Sequence, residues 1–153
     1  MASNEVRTHT ALHVLKGAAS KVLGVKWTAG TFVDGSHGRL AIQLNRKPLD
    51  EEISRIEAEA NMKIKEDAEI EELQLDRVEA EKLWGNSIYD VFPIPAHIMN
   101  LKILHIRNWN VNACKELHTK KTGEIGSLRI VKTRYRDTKE LLEISFDIFA
   151  ERS

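Results

Sequence analysis

Two pairs of potential metal ligands with the same internal spacing stand far apart in the chain: His9 and His13 near its start, Cys114 and His118 about a hundred residues later. Residues four apart on a helix project from one side, about one turn apart, so His9 and His13 can present two imidazoles together. Neutral imidazole and thiolate both bind a borderline-soft ion well, which makes them a zinc donor set. Each pair also has a plainer reading. Histidines at this spacing are common on solvated helices, a free cysteine is usually a small buried apolar residue, and His118 can be an ordinary loop histidine. The plain readings weaken when two matching pairs take the chain's one cysteine and three of its six histidines. The four residues are therefore the candidate ligands of one zinc ion.

Other catalytic signatures are absent. No glutamate lies between His9 and His13, so the H-E-x-x-H pattern fails, and there is no P-loop, dinucleotide-binding glycine run or serine nucleophile elbow. His37 is expected in a turn, His97 follows Pro95, and His105 lies on an apolar stretch where a hydrogen-bonded core histidine is the simpler reading.

Elements must carry these residues. Leu12, Leu15, Ala19 and Val22 recur at helical spacing, predicting a helix over Thr8–Leu23 stopped by Gly24, with the two histidines beside the apolar stripe. Lys26–Val33 and Arg39–Leu44 read as strands joined by the turn residues 34–38, with Thr28 and Thr31 on opposite faces of the first. Pro48 and Asp50 open a second helix to Lys65, Ile70–Leu75 is a short strand, and Asp76 with Glu79 starts a short helix ended by Gly85-Asn86. Pro93 and Pro95 break the chain, and Leu101–Trp109 reads as a central strand leading to Cys114. Val131–Arg136 and Leu142–Ile148 alternate in polarity, and a hairpin through 137–140 sets Arg134 opposite Glu143 and Val131 opposite Phe146. The expected class is α+β, a mainly antiparallel sheet with helices packed against it, in one domain over residues 1–153.

The net charge of zero conceals an asymmetry. Residues 1–49 carry 7 basic and 2 acidic side chains, residues 50–90 carry 5 and 14, and residues 101–139 carry 10 and 3. Both basic blocks contain candidate ligands and the acidic one contains none, which places the site in positive surroundings suited to a polyanion. An acidic helical layer balancing a basic sheet explains the same pattern equally well. No apolar run approaches the ~20 residues of a membrane span and no signal-peptide pattern opens the chain, so a soluble, cytoplasmic protein without membrane contact is expected. The single cysteine precludes an internal disulfide and suits a reducing compartment.

Three segments together resemble a known family. Thr8-His9-Thr10-Ala11-Leu12-His13, then Asn112-Ala113-Cys114 through His118, then Thr122-Gly123-Glu124-Ile125-Gly126 are similar to the editing domain of alanyl-tRNA synthetase, and the length resembles its short, stand-alone AlaX relatives. The resemblance covers essentially the whole chain. It implies the threonyl/alanyl-tRNA synthetase editing-domain fold, a zinc ion held by His9, His13, Cys114 and His118, and zinc-dependent hydrolysis of mischarged tRNA(Ala), chiefly the seryl ester. Thr28 matches the position that recognises the serine hydroxyl in AlaX proteins. Two features depart from the pattern: Lys115-Glu116-Leu117 replaces a small Gly-Gly-Thr-type insert, and the glycine-rich motif of longer relatives is missing.

Such an enzyme answers a physical need. A site shaped for alanine rejects serine weakly, because one small group changes binding by only ~1–3 kcal/mol, so a separate hydrolytic site must remove the error. Zinc can orient the amino acid, polarise its carbonyl or supply a bound hydroxide, although four protein ligands would close the coordination sphere. No residue stands out as the base. Lys120 and Lys121 are the expected phosphate contacts within a basic segment 115–136, while Lys132 and Arg134 have cross-strand partners available. The expected partner is mischarged tRNA(Ala), not DNA, and the expected state is a monomer or weak homodimer. A zinc-stabilised, non-catalytic tRNA-binding module is the alternative from another class.

Overall fold

The computed structural model describes residues 2–92 and 94–150. Pro93, expected to break the chain, lies outside them. Helix α1 (Asn4–Leu23) starts one turn before the predicted Thr8, because Ser3 caps it by accepting from the Val6 N–H. Gly24 ends it in the left-handed region at φ 71°, donating to the Ser20 carbonyl. The added turn buries Arg7, whose guanidinium donates to the carbonyls of Glu124 and Ile125. Thr10, also buried, accepts from the Thr119 N–H at 2.8 Å, which fixes the chain just past His118 against the helix.

Strands β1 (Thr28–Asp34), β2 (His37–Gln43), β6 (Ser127–Arg136) and β7 (Leu141–Phe149) form an antiparallel sheet in the order β1-β2-β7-β6. Its inner face packs on α1 and on α2 (Asp50–Lys65), burying Leu40, Ile42, Leu142, Ile144 and Phe146 among Ala11, Leu12, Leu15 and Ile56. Burying such a side chain fully contributes about 1.5–3 kcal/mol relative to leaving it in water. Gly38 admits α1 closely, since a Cβ there would collide with Phe146 and Thr8.

Two bulges alter the expected registers. Arg134 does pair with Glu143, but Phe146 pairs with Ile130, not Val131. Leu128 and Ile130 occupy the same inner face as Tyr135, and even and odd positions share a face only if one residue is passed over. Val131 is that residue and is left exposed. In β1 the register shifts between Thr28 and Gly30. Thr28 and Thr31 consequently lie on the same side, correcting the expectation of opposite faces. His37 begins β2 and is not a turn residue.

A second sheet, in the order β3-β4-β5, contains β3 (Glu71–Asp76), β4 (Asn100–Ile106) and β5 (Asn110–Ala113). The predicted strand to Trp109 stops at Ile106, where a turn with Asn108 at φ 56° reverses the chain into β5. The apolar residues of β4, interrupted by Lys102 and His105, are buried on both of its sides. Leu104 and Ile106 join the main core, while Leu101 and Ile103 join a smaller cluster with Ala80 of α3 (Arg77–Trp84) and Ile88. No helix among the described residues is long and apolar enough to cross a membrane.

Candidate metal centre and adjoining cavity

Trp109 sets the geometry of the site. Its indole lies against Gly17 of α1, where a Cβ would collide with the ring, and its N–H donates to the Val14 carbonyl at 2.9 Å. This clamp lays β5 beside the helix. Successive strand residues then alternate, with Val111 and Ala113 joining the smaller apolar cluster and Asn110 and Asn112 facing α1. On the helix His9, His13 and Lys16 share one side at spacings of four and three. Two periodicities thereby meet residue by residue: Asn110 bonds His13, Asn112 bonds Lys16, and Cys114 follows directly.

His13, Cys114 and His118 have their donor atoms all within 4.8 Å of one another, a grouping that can hold a metal ion. Cys114 Sγ is 3.5 Å from His118 Nε2, and the two imidazoles meet edge to face with centroids 4.8 Å apart. His13 Nδ1 is 2.9 Å from the Asn110 side-chain oxygen, so that nitrogen carries the proton and Nε2 keeps a free lone pair. Nδ1 of His118 is buried without a hydrogen-bond partner, 3.9 Å from Glu72 Oε1. Burial holds His13 down to about 4, and burial together with the facing His13 holds His118 down to about 3, so both rings are neutral and able to ligate at neutral pH. Burial pushes the Cys114 thiol upward, and a bound cation would reverse that. The donor types and the neutral imidazoles fit a zinc ion.

His9 stands apart from this trio. It lines the same cavity, but its Nε2 is 3.9 Å from Glu116 Oε2 and it is not among the grouped donors. The surroundings are mixed in charge, correcting the expectation of a positive site, because the acidic block contributes Glu72 and Asp90.

His13 and Cys114 of the trio border a cavity of about 130 Å³ whose lining includes Leu12, Lys16, Thr28, Thr31, Asp90 and Asn112. Lys16 is buried and donates to Asp90 Oδ1 at 3.0 Å and to the Asn112 side-chain oxygen. Asn112 in turn donates to the Ile88 carbonyl at 3.2 Å. Thr28 is buried with its hydroxyl unpartnered, while its carbonyl accepts from Val91 and holds the segment bearing Asp90 at the cavity edge. A buried hydroxyl without a partner is costly, and one on a residue that lines a cavity is a candidate contact for a polar ligand.

Lys120 and Lys121 lie away from the cavity. Their backbone N–H groups bind Glu124, and the Lys121 ammonium is 3.7 Å from Asp67. Lys16, Asp90 and Asn110 were not singled out from sequence, and Asn112 stood there only as part of a motif. The alternation Asn110-Val111-Asn112-Ala113-Cys114 and the spacing of Lys16 from His13 were the available signals for the asparagines and the lysine.

No family model matches the chain. It is 36% identical over 141 residues to alanine–tRNA ligase of Methanopyrus kandleri, covering 91% of this chain and 15% of that protein. It is 37% identical over 147 residues to alanine–tRNA ligase of Methanococcus aeolicus, covering 95% and 16%. A further match, 37% over 129 residues, is alanine–tRNA ligase of Pyrococcus furiosus, covering 84% and 14%. The chain thus spans about a sixth of the length of these relatives. Over 84–95% of its length the chain is homologous to one segment of alanine–tRNA ligase, consistent with an AlaX-like editing domain.

Proposed function

We propose that the cavity hydrolyses the ester of tRNA(Ala) wrongly charged with serine. The observation that carries this reading is the juxtaposition of the His13–Cys114–His118 trio with a cavity lined by Thr28, whose buried hydroxyl has no partner. The likeness to a segment of proteins named alanine–tRNA ligase supports tRNA(Ala) as the partner. Such a role belongs in the cytoplasm, where charged tRNA is used.

His13, Cys114 and His118 would hold a zinc ion, and His9 on the same cavity wall would be a fourth ligand that substrate can displace. When bound, zinc would supply Lewis-acid polarisation of the ester carbonyl. The remaining work falls to the chain's own groups. Thr28 exchanges a hydrogen bond with the serine side chain. The Asp90 carboxylate, oriented by Lys16 and Asn112, faces the α-ammonium group. Leu12 and Leu40 limit the room for larger side chains. Hydrolysis adds water across the ester, breaks the acyl carbon–oxygen bond and returns the proton to the terminal ribose hydroxyl.

Release of serine from seryl-tRNA(Ala), followed with and without a chelator, tests this reading. Chelator-sensitive release that spares alanyl-tRNA(Ala) is the expected result. Binding without turnover would leave the non-catalytic module.

A further inference from the structure

The outer face of the four-stranded sheet takes no part in the cavity. Strand pairing orders its side chains in rows. Arg39 of β2, Ser145 of β7 and Lys132 of β6 are paired across the strands, and the next row contains Ala41, Glu143 and Arg134. Arg136 follows on β6. The rows form a groove, with Ser145 and Glu143 on its floor, Arg39 on one wall, and Lys132, Arg134 and Arg136 on the other. Cations at alternate residues of one strand lie about 7 Å apart, and adjacent strands about 4.8 Å apart.

Internal pairing leaves most of this charge free. Arg136 meets Glu143 at 3.2 Å, so the cross-strand partner expected for Arg134 serves its neighbour. Arg39, Lys132 and Arg134 are exposed and, among the described residues, have no carboxylate within 4.0 Å. Arg39 instead lies over the ring of half-exposed Phe32, 5.3 Å from its centroid. Charges on an edge strand such as β6 also discourage pairing with other chains, but that does not account for Arg39 on an interior strand facing them across the floor. The Lys120–Lys121 groove differs in balance, since two carboxylates, Asp67 and Glu124, line it beside its lysines, whereas Glu143 is the one carboxylate among the four cations here.

We propose that this groove binds the phosphate backbone of RNA, docking the body of a tRNA on the sheet. The proposal rests on tRNA being the partner. It replaces Lys120 and Lys121 with Arg39, Lys132 and Arg134 as the principal phosphate contacts. Backbone contacts of this kind position the nucleic acid without reading its sequence.

The test uses full-length Arg39→Gln/Lys132→Gln/Arg134→Gln, with uncharged tRNA(Ala) transcript as the probe and affinity measured across a salt series. Affinity at low salt should fall by about ten-fold or more, and the slope of log K against log salt should become shallower by about 2–3, one for each lost contact. Lys82→Gln/Arg107→Gln removes two cations elsewhere and should leave the slope near wild type. If the triple variant fails to fold, Lys132→Gln alone should shift the slope by about one. An unchanged slope in the variants, or no RNA binding by the wild type, overturns the proposal. Turnover of 3′-O-seryl-adenosine, too small to reach the sheet, is read separately. Normal turnover with an unchanged slope would sink this surface and leave the hydrolytic reading standing. RNA binding through the groove without any ester turnover would do the reverse.

Discussion

The ammonium of Lys16 lies 3.0 Å from Asp90 Oδ1, joining helix α1 to a segment 74 residues away at the edge of the cavity. Lys16 is almost fully buried while the Asp90 side chain is 38% exposed, so the pair is anchored on the lysine side and open on the carboxylate side. Lys16→Met keeps the length of the side chain and removes its charge. The Asn112 oxygen is then left unpaired and Asp90 loses its orienting partner, at a cost of about 1–3 kcal/mol in stability. Denaturant unfolding should show that loss, and seryl-ester turnover should fall further than instability explains. Wild-type turnover in a folded Lys16→Met protein would remove Asp90 from the proposed site.

Thr28→Val separates function from stability. The hydroxyl has no partner in the folded protein, so replacing it with a methyl should leave thermal stability unchanged or slightly raised. Seryl-ester hydrolysis should fall about ten-fold or more, because the substrate hydroxyl would lose its partner. A loss of stability with normal hydrolysis would assign Thr28 to the fold. Thr31, brought to the same cavity by the bulge, then becomes the residue to replace.

Much of the site was legible because two helical residues and two loop residues share one spacing. The matching His13 and Cys114–His118 donors were visible as residue types before any geometry. What placed them was less visible. Trp109 read as the end of a strand, whereas it lies past the strand and locks a turn onto Gly17, a contact that depends on one helix surface lacking a Cβ. The bulges at 29 and 131 were hidden for a related reason. Alternation reveals a face only while parity holds, and a single passed-over residue reverses it without a marked change in composition. Asp90 was hidden because a lone acidic residue, the one acid between Glu81 and Glu116, has no periodic signature, and its role exists only through Lys16.

Acid should destabilise the metal-free protein earlier than carboxylate titration requires. The ordinary histidine value is 6.5, and the fold holds His13 down to about 4 and His118 to about 3. Below 6.5 the unfolded chain takes up protons that the folded chain refuses, so stability is complete above 6.5 and is lost as pH falls toward 4 and 3. Melting temperatures of chelator-treated protein should fall across that window. Replacing His13 and His118 with Gln should flatten the profile there, and an equally steep profile in that variant would contradict the assignment.

Metal content provides the sharpest separation among the proposed ligands. Metal-replete protein should carry about one zinc per chain by elemental analysis, and His13→Ala or Cys114→Ala should abolish it, because each removes one of three donors already grouped. His9→Ala should weaken binding and leave it measurable, since His9 is the donor outside that group. Asn110→Ala touches no proposed ligand atom, yet it frees the ring nitrogen of His13 that Asn110 now holds. Outer partners of this kind typically contribute 10–100-fold in metal affinity. Zinc competition with a chromogenic chelator should therefore rank the proteins in the order wild type, Asn110→Ala, Cys114→Ala. Full zinc retention in Cys114→Ala would mean that the metal binds elsewhere, and the chelator sensitivity of turnover would then need another source.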